Sequence, residues 1–363
     1  MSGFFMGNPL LSIIIAVIVF GILVTGHEWG HFFVARKKDV MIEEFSIGMG
    51  PAIVSRQKGE TLYSLRAIPL GGYCKMLGEL DGDRTPRDFM SKTVWQRIQI
   101  LLAGPVMNFI IAFVLVTAVL GMEGFVSTEI AAVTPGYGAE EAGILPGDRI
   151  ISVNGKRIHM YEDIAAAMEG NGTNPVDVMV ERDGEKYFFE ITPKYSEETD
   201  RYLIGFSSAF KTGVFSKETD GYTKAGFGET LKHSGHETFY FIRMTLSGIG
   251  GLFTKKYTID DLSGPVGIVK VIGDSYEAGM TVSAKAAIEN VLYIAALLSA
   301  NLGVINLIPI PALDGGRILL CIIESIRGKA LDAEKEGILQ FIFFVFIFAL
   351  TIFIAFKDIT KLV

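Results

Sequence analysis

The sequence predicts a polytopic α-helical membrane protein: four transmembrane helices, with a small mixed α/β domain inserted between the second and the third. Three observations lead there. Half of the 363 residues are hydrophobic and only 20% are charged. Mean hydropathy is +0.39. The apolar residues are gathered into long runs free of Asp, Glu, Lys and Arg, for which a soluble core has little use. So apolar a chain is not disordered. A net charge of −7 excludes a nucleic-acid binder, whose footprint is basic. Cys74 and Cys321 could close at most one bridge and form no CxxC pair, which excludes a disulfide scaffold.

Residues 1–27, 98–122, 290–313 and 337–356 lack charged side chains, and each window is close to the roughly 20 residues that span a hydrocarbon core. The first has no basic leading region and runs into the most informative motif of the chain, so it is read as a retained helix and not a cleaved signal. The segment 34–97 opens with Arg36, Lys37 and Lys38 and closes with Lys92 and Arg97. By the positive-inside rule it is cytoplasmic and the N-terminus is outside. Four spans then place 123–289 outside, 314–336 with Arg317, Arg327, Lys329 and Lys335 inside, and the C-terminus outside.

Within the outer segment, β-type runs at 129–133, 149–153, 176–181 and 186–191 alternate with the turn pairs Asn154-Gly155 and Asp183-Gly184, and 161–168 reads as a helix. Beyond residue 210, Phe227, Leu231, Phe239, Ile242, Leu246 and Ile249 recur at near-helical spacing, which predicts an amphipathic stretch at the membrane surface or packed on the small domain. No repeat of 20 to 50 residues runs through the chain.

The chemistry begins at His27-Glu28-Trp29-Gly30-His31. Histidines at i and i+4 on a helix share one face about a turn apart, a ready chelate for zinc, with Glu28 beside it as a general base. A glutamate inside a span costs about 2.5 to 3.5 kcal/mol and marks function or a paired charge. A third ligand is needed. The soluble extension HExxHxxGxxH fails, because Val34 and Lys37 stand where it requires Gly and His. Among later intramembrane residues, Glu289 sits at an outer edge, which leaves Asp314 in Asn306-Leu307-Ile308-Pro309-Ile310-Pro311-Ala312-Leu313-Asp314-Gly315-Gly316. Its two prolines break a helix at membrane depth, which is tolerated only where backbone is buried or lines a watery cavity. The alternative is an ordinary capping aspartate after a proline-terminated helix.

HEWGH and NLIPIPALDGG together closely resemble the site-2 protease family of intramembrane zinc metalloproteases. The likeness covers nearly the whole chain: Ser46-Ile47-Gly48-Met49-Gly50-Pro51, the run from Tyr63 to Tyr73, Ala103-Gly104-Pro105 with Asn108, and Ser263-Gly264-Pro265-Val266-Gly267 are similar to the bacterial regulator of sigma-E protease type. The resemblance implies Zn2+ held by His27, His31 and Asp314, Glu28 as base, and Asn306 holding the substrate strand. It also implies that residues 40–77 form a membrane-reentrant β-hairpin, in keeping with the strand-like alternation of Leu62, Ser64, Arg66 and Ile68. The run from Gly136 to Gly155 resembles the core of PDZ domains, which bind extended peptides by strand addition. The expected organisation is a membrane half at 1–122, a single PDZ domain at 125–207, an amphipathic segment at 208–288 and a second membrane half at 289–363. Expected partners are the lipid bilayer, a single-pass membrane substrate such as an anti-sigma factor or signal-peptide remnant, and a peptide ligand of the PDZ domain, with no nucleic acid. Alternatives are another HExxH membrane protease of CAAX type and a catalytically silent PDZ scaffold. Cys74 reads as a small buried hydrophobe, and His159, His233 and His236 as surface residues.

Overall fold

The computed structural model describes residues 8–79, 85–168, 170–197, 199–216, 222–258, 263–329 and 333–362. In chain order its helices are α1 (Pro9–Lys37), α2 (Val94–Met122), α3 (Gly138–Ala142), α4 (Tyr161–Met168), α5 (Phe227–Phe253), α6 (Pro265–Met280), α7 (Ala284–Asn306), α8 (Asp314–Arg327) and α9 (Ala333–Leu362). The strands are β1 (Ile42–Lys58), β2 (Thr61–Met76), β3 (Gly124–Val133), β4 (Arg149–Val153), β5 (Lys156–Arg157), β6 (Val176–Arg182), β7 (Glu185–Ile191), β8 (Lys194–Ser196), β9 (Arg201–Leu203), β10 (Phe206–Thr212) and β11 (Thr223–Lys224). The chain divides into two compact units, one of Met1–Leu115 with Tyr240–Val363 and one of Val116–Phe239.

In the first unit, α1, α2, α7 and α9 are long and apolar enough to cross a membrane, and the chain is a membrane protein. Asn8 caps α1 by accepting the Leu10 N–H at 3.1 Å, and Pro9 fits the first turn, where its missing N–H is no loss. The helix runs unbroken through the histidine pair to Lys37, so the one-face argument for His27 and His31 applies. The window beginning at 290 was expected to extend to 313, but α7 stops at Asn306 because Pro309 and Pro311 cannot continue a helix. Residues 1–7 of the first window lie outside the described residues.

Strands β1 and β2 form the long antiparallel hairpin expected at 40–77, with Lys58 opposite Thr61 at its tip and Phe45 opposite Cys74 near its base. Glu44 ties the two strands together, accepting from Ser64 Oγ at 2.5 Å, Arg66 Nη2 at 2.6 Å and the Tyr73 hydroxyl at 2.7 Å. The base of the hairpin buries Ile42, Phe45, Cys74 and Met76 against Phe32 of α1 and Ile100 and Leu101 of α2. Cys74 is a buried free thiol, as its sequence context suggested.

The second unit is built on a sheet of order β11-β10-β3-β4-β6-β7, with β5 paired to β4. The four runs read from sequence appear as the end of β3 and as β4, β6 and β7, and α4 covers 161–168. Both turn pairs have positive φ at both positions (Asn154 49°, Gly155 73°; Asp183 51°, Gly184 83°), the geometry of a tight hairpin turn whose twist matches its strands. Alternation along β6 buries Val176, Val178 and Val180 with Ile130, Ile150 and Ile191. Two expectations change. Residues 208–212, expected to open the amphipathic segment, instead complete β10, which pairs antiparallel with β3. His233 is not a surface residue: it lies on the inward face of α5 with Thr230, Ser234 and Glu237, and its ring stacks on Phe125 at 4.0 Å. His159 is exposed and His236 half-buried, stacked on each other at 4.5 Å.

Two groups in this unit make its stability acid-sensitive. Burial, assisted by the neighbouring His236 and opposed by Glu229, lowers His233 from 6.5 to about 4. Burial of Asp148 opposes its ionisation, but the Arg182 guanidinium at 2.6 and 2.7 Å and the Leu145 N–H outweigh it and hold the carboxyl below its ordinary range. A histidine kept neutral by the fold lets the unfolded chain bind the proton first, so its effect is a loss of stability as pH falls from 6.5 toward 4. Asp148 contributes stability above the ordinary carboxylate pKa of about 4 and loses it as pH falls through its own lower value. Thermal unfolding of the whole chain in detergent is expected to show Tm declining in these two stages. His233→Gln should flatten the upper stage and leave the lower one in place.

Candidate metal centre

The site is assembled from three helices of the first unit. On α1, His27 and His31 are buried and their rings meet edge to face, with centroids 4.8 Å apart. Their Nε2 atoms are 3.1 Å apart, and Asp314 Oδ2 lies 3.2 Å from that of His27 and 3.3 Å from that of His31. Among the described residues these are the three side chains of ligand type that converge. The glutamate Glu28 and the asparagine Asn306, at the C-terminal end of α7, line the same cavity of about 570 Å³. Thus all five sequence-predicted site residues border one space.

Asp314 reaches the histidines because the chain turns sharply between α7 and α8. Leu307 and Ile308 close the helix with bonds to the Val304 and Ile305 carbonyls, and the Leu313 N–H returns to the Ile310 carbonyl. Asp314 then opens α8, where the positive end of a helix favours a carboxylate. Gly315 and Gly316 make this fold-back possible: a Cβ on either would lie 2.3 Å from the Leu307 carbonyl or 2.1 Å from that of Ile310.

Four features fit a zinc ion. The near-equilateral triangle of ligand atoms, 3.1 to 3.3 Å on a side, matches a face of a tetrahedron with bonds of about 2.0 Å, whose edges are about 3.3 Å. Asp314 Oδ2 is buried with no well-directed donor among the described residues, a costly state for a carboxylate oxygen that a cation would relieve. Gly104 of α2 faces the pair so closely that a Cβ there would sit 2.3 Å from His31 Nε2 and 2.7 Å from His27 Nε2. The donor set, two imidazoles and a carboxylate, is one that zinc accepts while keeping a position open.

In the sequence Gly104 and Asn108 stand out only as letters of a family motif. The structure puts Ile100, Gly104 and Asn108, spaced by one helical turn, along the face of α2 that meets the histidines: the Ile100 carbonyl lies 2.8 Å from His31 Nδ1 and the Asn108 amide 3.1 Å from His27 Nδ1. The i, i+4, i+8 spacing was the available signal. Arg317, one turn beyond Asp314, was also overlooked as a site residue; it lines the cavity and bridges to Glu79 at 2.5 Å.

A helix-borne histidine pair with an adjacent glutamate, met by an aspartate from another helix in a protein of membrane-length helices, defines an intramembrane metallohydrolase. The chain belongs to peptidase family M50, whose model matches residues 15–350. It is 37% identical to a Clostridium acetobutylicum protein named as a zinc metalloprotease, over 96% of this chain and 97% of that one. It is 30% identical to the regulator of sigma-W protease RasP of Bacillus subtilis, over 97% and 99%, and 31% identical to the zinc metalloprotease RasP of Bacillus licheniformis, over the same shares. The protein is an intramembrane zinc metalloendopeptidase of the site-2 protease kind, which sets aside the CAAX-type and silent-scaffold alternatives.

Because the space at Gly104 is already filled by imidazole, Gly104→Ala is expected to spread the pair. Zinc per purified chain should fall well below that of the wild type, and cleavage should fall by about 10²-fold, the usual consequence of an ångström's misplacement. Metal analysis alongside a cleavage assay checks both.

Proposed function

We propose that His27, His31 and Asp314 are the zinc ligands, that Glu28 is the general base, and that the enzyme cleaves the transmembrane segment of a single-pass membrane protein. The observation that carries this is the convergence of three ligand atoms within 3.3 Å beside a carboxylate and an open cavity. Zinc, when bound, supplies Lewis-acid polarisation of a carbonyl and acidifies water.

The remaining steps fall to the chain's own side chains. A transmembrane helix resists proteolysis because its carbonyls are hydrogen-bonded and water is scarce, so the substrate must be unwound and water admitted. The cavity is bordered by Gly71, Gly72 and Tyr73 of β2 on one side and Asn306 on the other. We assign the hairpin as a membrane-reentrant element to which the substrate adds a strand, with the Asn306 amide gripping that strand. Glu28 takes the proton from the attacking water and passes it to the departing nitrogen. Glu28 lines the cavity wall beside Tyr73 and Cys74 of β2.

For the substrate, the name regulator of sigma-W protease borne by the Bacillus subtilis relative favours a membrane-anchored anti-sigma factor, with signal-peptide remnants as the second class. We assign residues 125–207 as a PDZ domain. Its support is the groove of about 710 Å³ between α4 and the β9–β10 segment, lined by Tyr161, Ile164, Met168, Leu203, Gly205 and Phe206, which suits an extended peptide. The topology read from the basic residues puts this domain and both termini outside and the site toward the cytoplasm, with 208–288 associated with the membrane. The domain then screens substrates by their outer portion.

Glu28→Gln is expected to retain about one zinc per chain and to reduce cleavage of a transmembrane model substrate by about 10² to 10⁴-fold. Asp314→Ala should lose the metal as well. Substantial cleavage by the Gln variant would remove Glu28 as the base, and full metal retention by the Ala variant would remove Asp314 as a ligand.

A further inference from the structure

Asn108 is fully buried on α2, in an otherwise apolar stretch of membrane helix. A buried amide in that setting must be satisfied or it destabilises the fold. Its backbone carbonyl accepts the Ser299 hydroxyl of α7 at 2.8 Å, which anchors the residue independently of its side chain. Its side-chain nitrogen lies 3.1 Å from His27 Nδ1, while its Oδ1 is buried and faces no donor among the described residues. Half of the amide is therefore used and half is idle.

The idle oxygen has a use once the ligand reading is adopted, and the inference rests on that reading. A neutral imidazole has one N–H and one lone pair. If His27 turns the Nε2 lone pair to the metal, Nδ1 carries the hydrogen and needs an acceptor. His31 already has the equivalent arrangement, since its Nδ1 can donate to the Ile100 carbonyl at 2.8 Å. The group beside His27 Nδ1 is the Asn108 amide, whose oxygen and nitrogen exchange places by a half-turn of the terminal group.

We propose that Asn108 is a positioning residue for the metal centre: its Oδ1 accepts from His27 Nδ1–H, which fixes the ring and its tautomer with Nε2 presented to zinc. The amide is then a two-position element. With Nδ2 toward His27, Nδ1 is the acceptor and Nε2 carries the hydrogen, with His31 Nε2 3.1 Å away to accept it. With Oδ1 toward His27, Nε2 is free to bind metal. An amide serves either state, whereas a carbonyl or carboxylate could serve only the loaded one.

The test is zinc affinity, measured on the full-length chain in detergent by competition with a chelator. Asn108→Leu keeps the volume and the Ser299 bond to the backbone but has no acceptor, and it should weaken zinc by about 10- to 100-fold, the usual effect of removing a partner that orients a metal-binding histidine. Asn108→Asp restores an acceptor and should stay within about threefold of the wild type. If the Leu variant does not fold, Asn108→Ala serves as the non-accepting variant, with thermal unfolding of the metal-free chain reporting on packing. Leu or Ala at wild-type affinity, or Asp as weak as Leu, overturns the assignment. His27→Ala separates the two readings: if it leaves zinc affinity intact the ligand set itself fails, and if it collapses affinity while Leu at 108 does not, only the role of Asn108 fails.

Discussion

The close approach of α1 and α2 is the constraint on which the rest of the site depends. Between membrane helices there is little hydrophobic drive, so contact must be won by small residues that let backbones meet. Here Gly30 sits against the Ala103 carbonyl, where a Cβ would come within 2.3 Å, and Gly104 sits against the two imidazoles. Only at that separation can a backbone carbonyl of α2 reach His31 Nδ1 at 2.8 Å and the Asn108 amide reach His27 Nδ1 at 3.1 Å. Glycine on each helix thus serves the same end as the histidines themselves. It makes room for rings on one side and brings their polar partners within bonding range on the other.

The second half of the site comes from breaking a helix. An unbroken α7 would carry Asp314 about two turns beyond Asn306. The Pro309 and Pro311 breaks and the tight return through Gly315 and Gly316 bring the carboxylate back to the histidines. Irregular backbone of this kind borders the cavity, the setting in which a membrane protein tolerates it. The start of α8 is then tied down by charge. Arg317 pairs with Glu79 at the end of the hairpin segment, and Arg97 of α2 pairs with Glu324 at 2.5 Å, with the arginines largely buried in both pairs. Removing one member of such a pair leaves an uncompensated buried charge, so these bridges hold α8 at a fixed place relative to the hairpin and α2.

What could be read from sequence follows from which signals survive in an apolar chain. Charge-free windows, the HEWGH pair, the proline break and the turn pairs Asn154-Gly155 and Asp183-Gly184 each have a local physical cause; each window holds a long helix, the third ending early at Asn306, and both turns fall where they were expected. The working face of α2 was not legible in the same way. A helix that is apolar on every side has no polar stripe to announce which face is buried against protein and which against lipid. Asn108 breaks that uniformity, yet its partner lies 81 residues away and is set by tertiary packing. His233 was misjudged for a related reason: a histidine on an amphipathic helix is exposed or buried according to the face it occupies, and the inward face here includes Thr230, Ser234 and Glu237 as well as apolar residues. β10 was missed because Phe206–Thr212 has too little alternation to mark a strand, and it becomes one through pairing with β3.

The cavity gives the proposed chemistry a direction. Its border on one side is β2 from Gly71 to Met76, and on the other the start of α8 and the end of α7. A substrate strand lying along β2 would have its backbone positioned by main-chain hydrogen bonds, which do not depend on its side chains. It would then present a carbonyl between Glu28 and the histidine-aspartate cluster. Selection by such a site falls on backbone that can be unwound more than on a particular side chain, and finer discrimination must come from elsewhere in the chain. The groove of about 710 Å³ beside α4 in the second unit has the room and apolar lining to supply it in the proposed reading. On this view the two units divide the work physically: one recognises sequence in an extended peptide, and the other recognises a helix that yields.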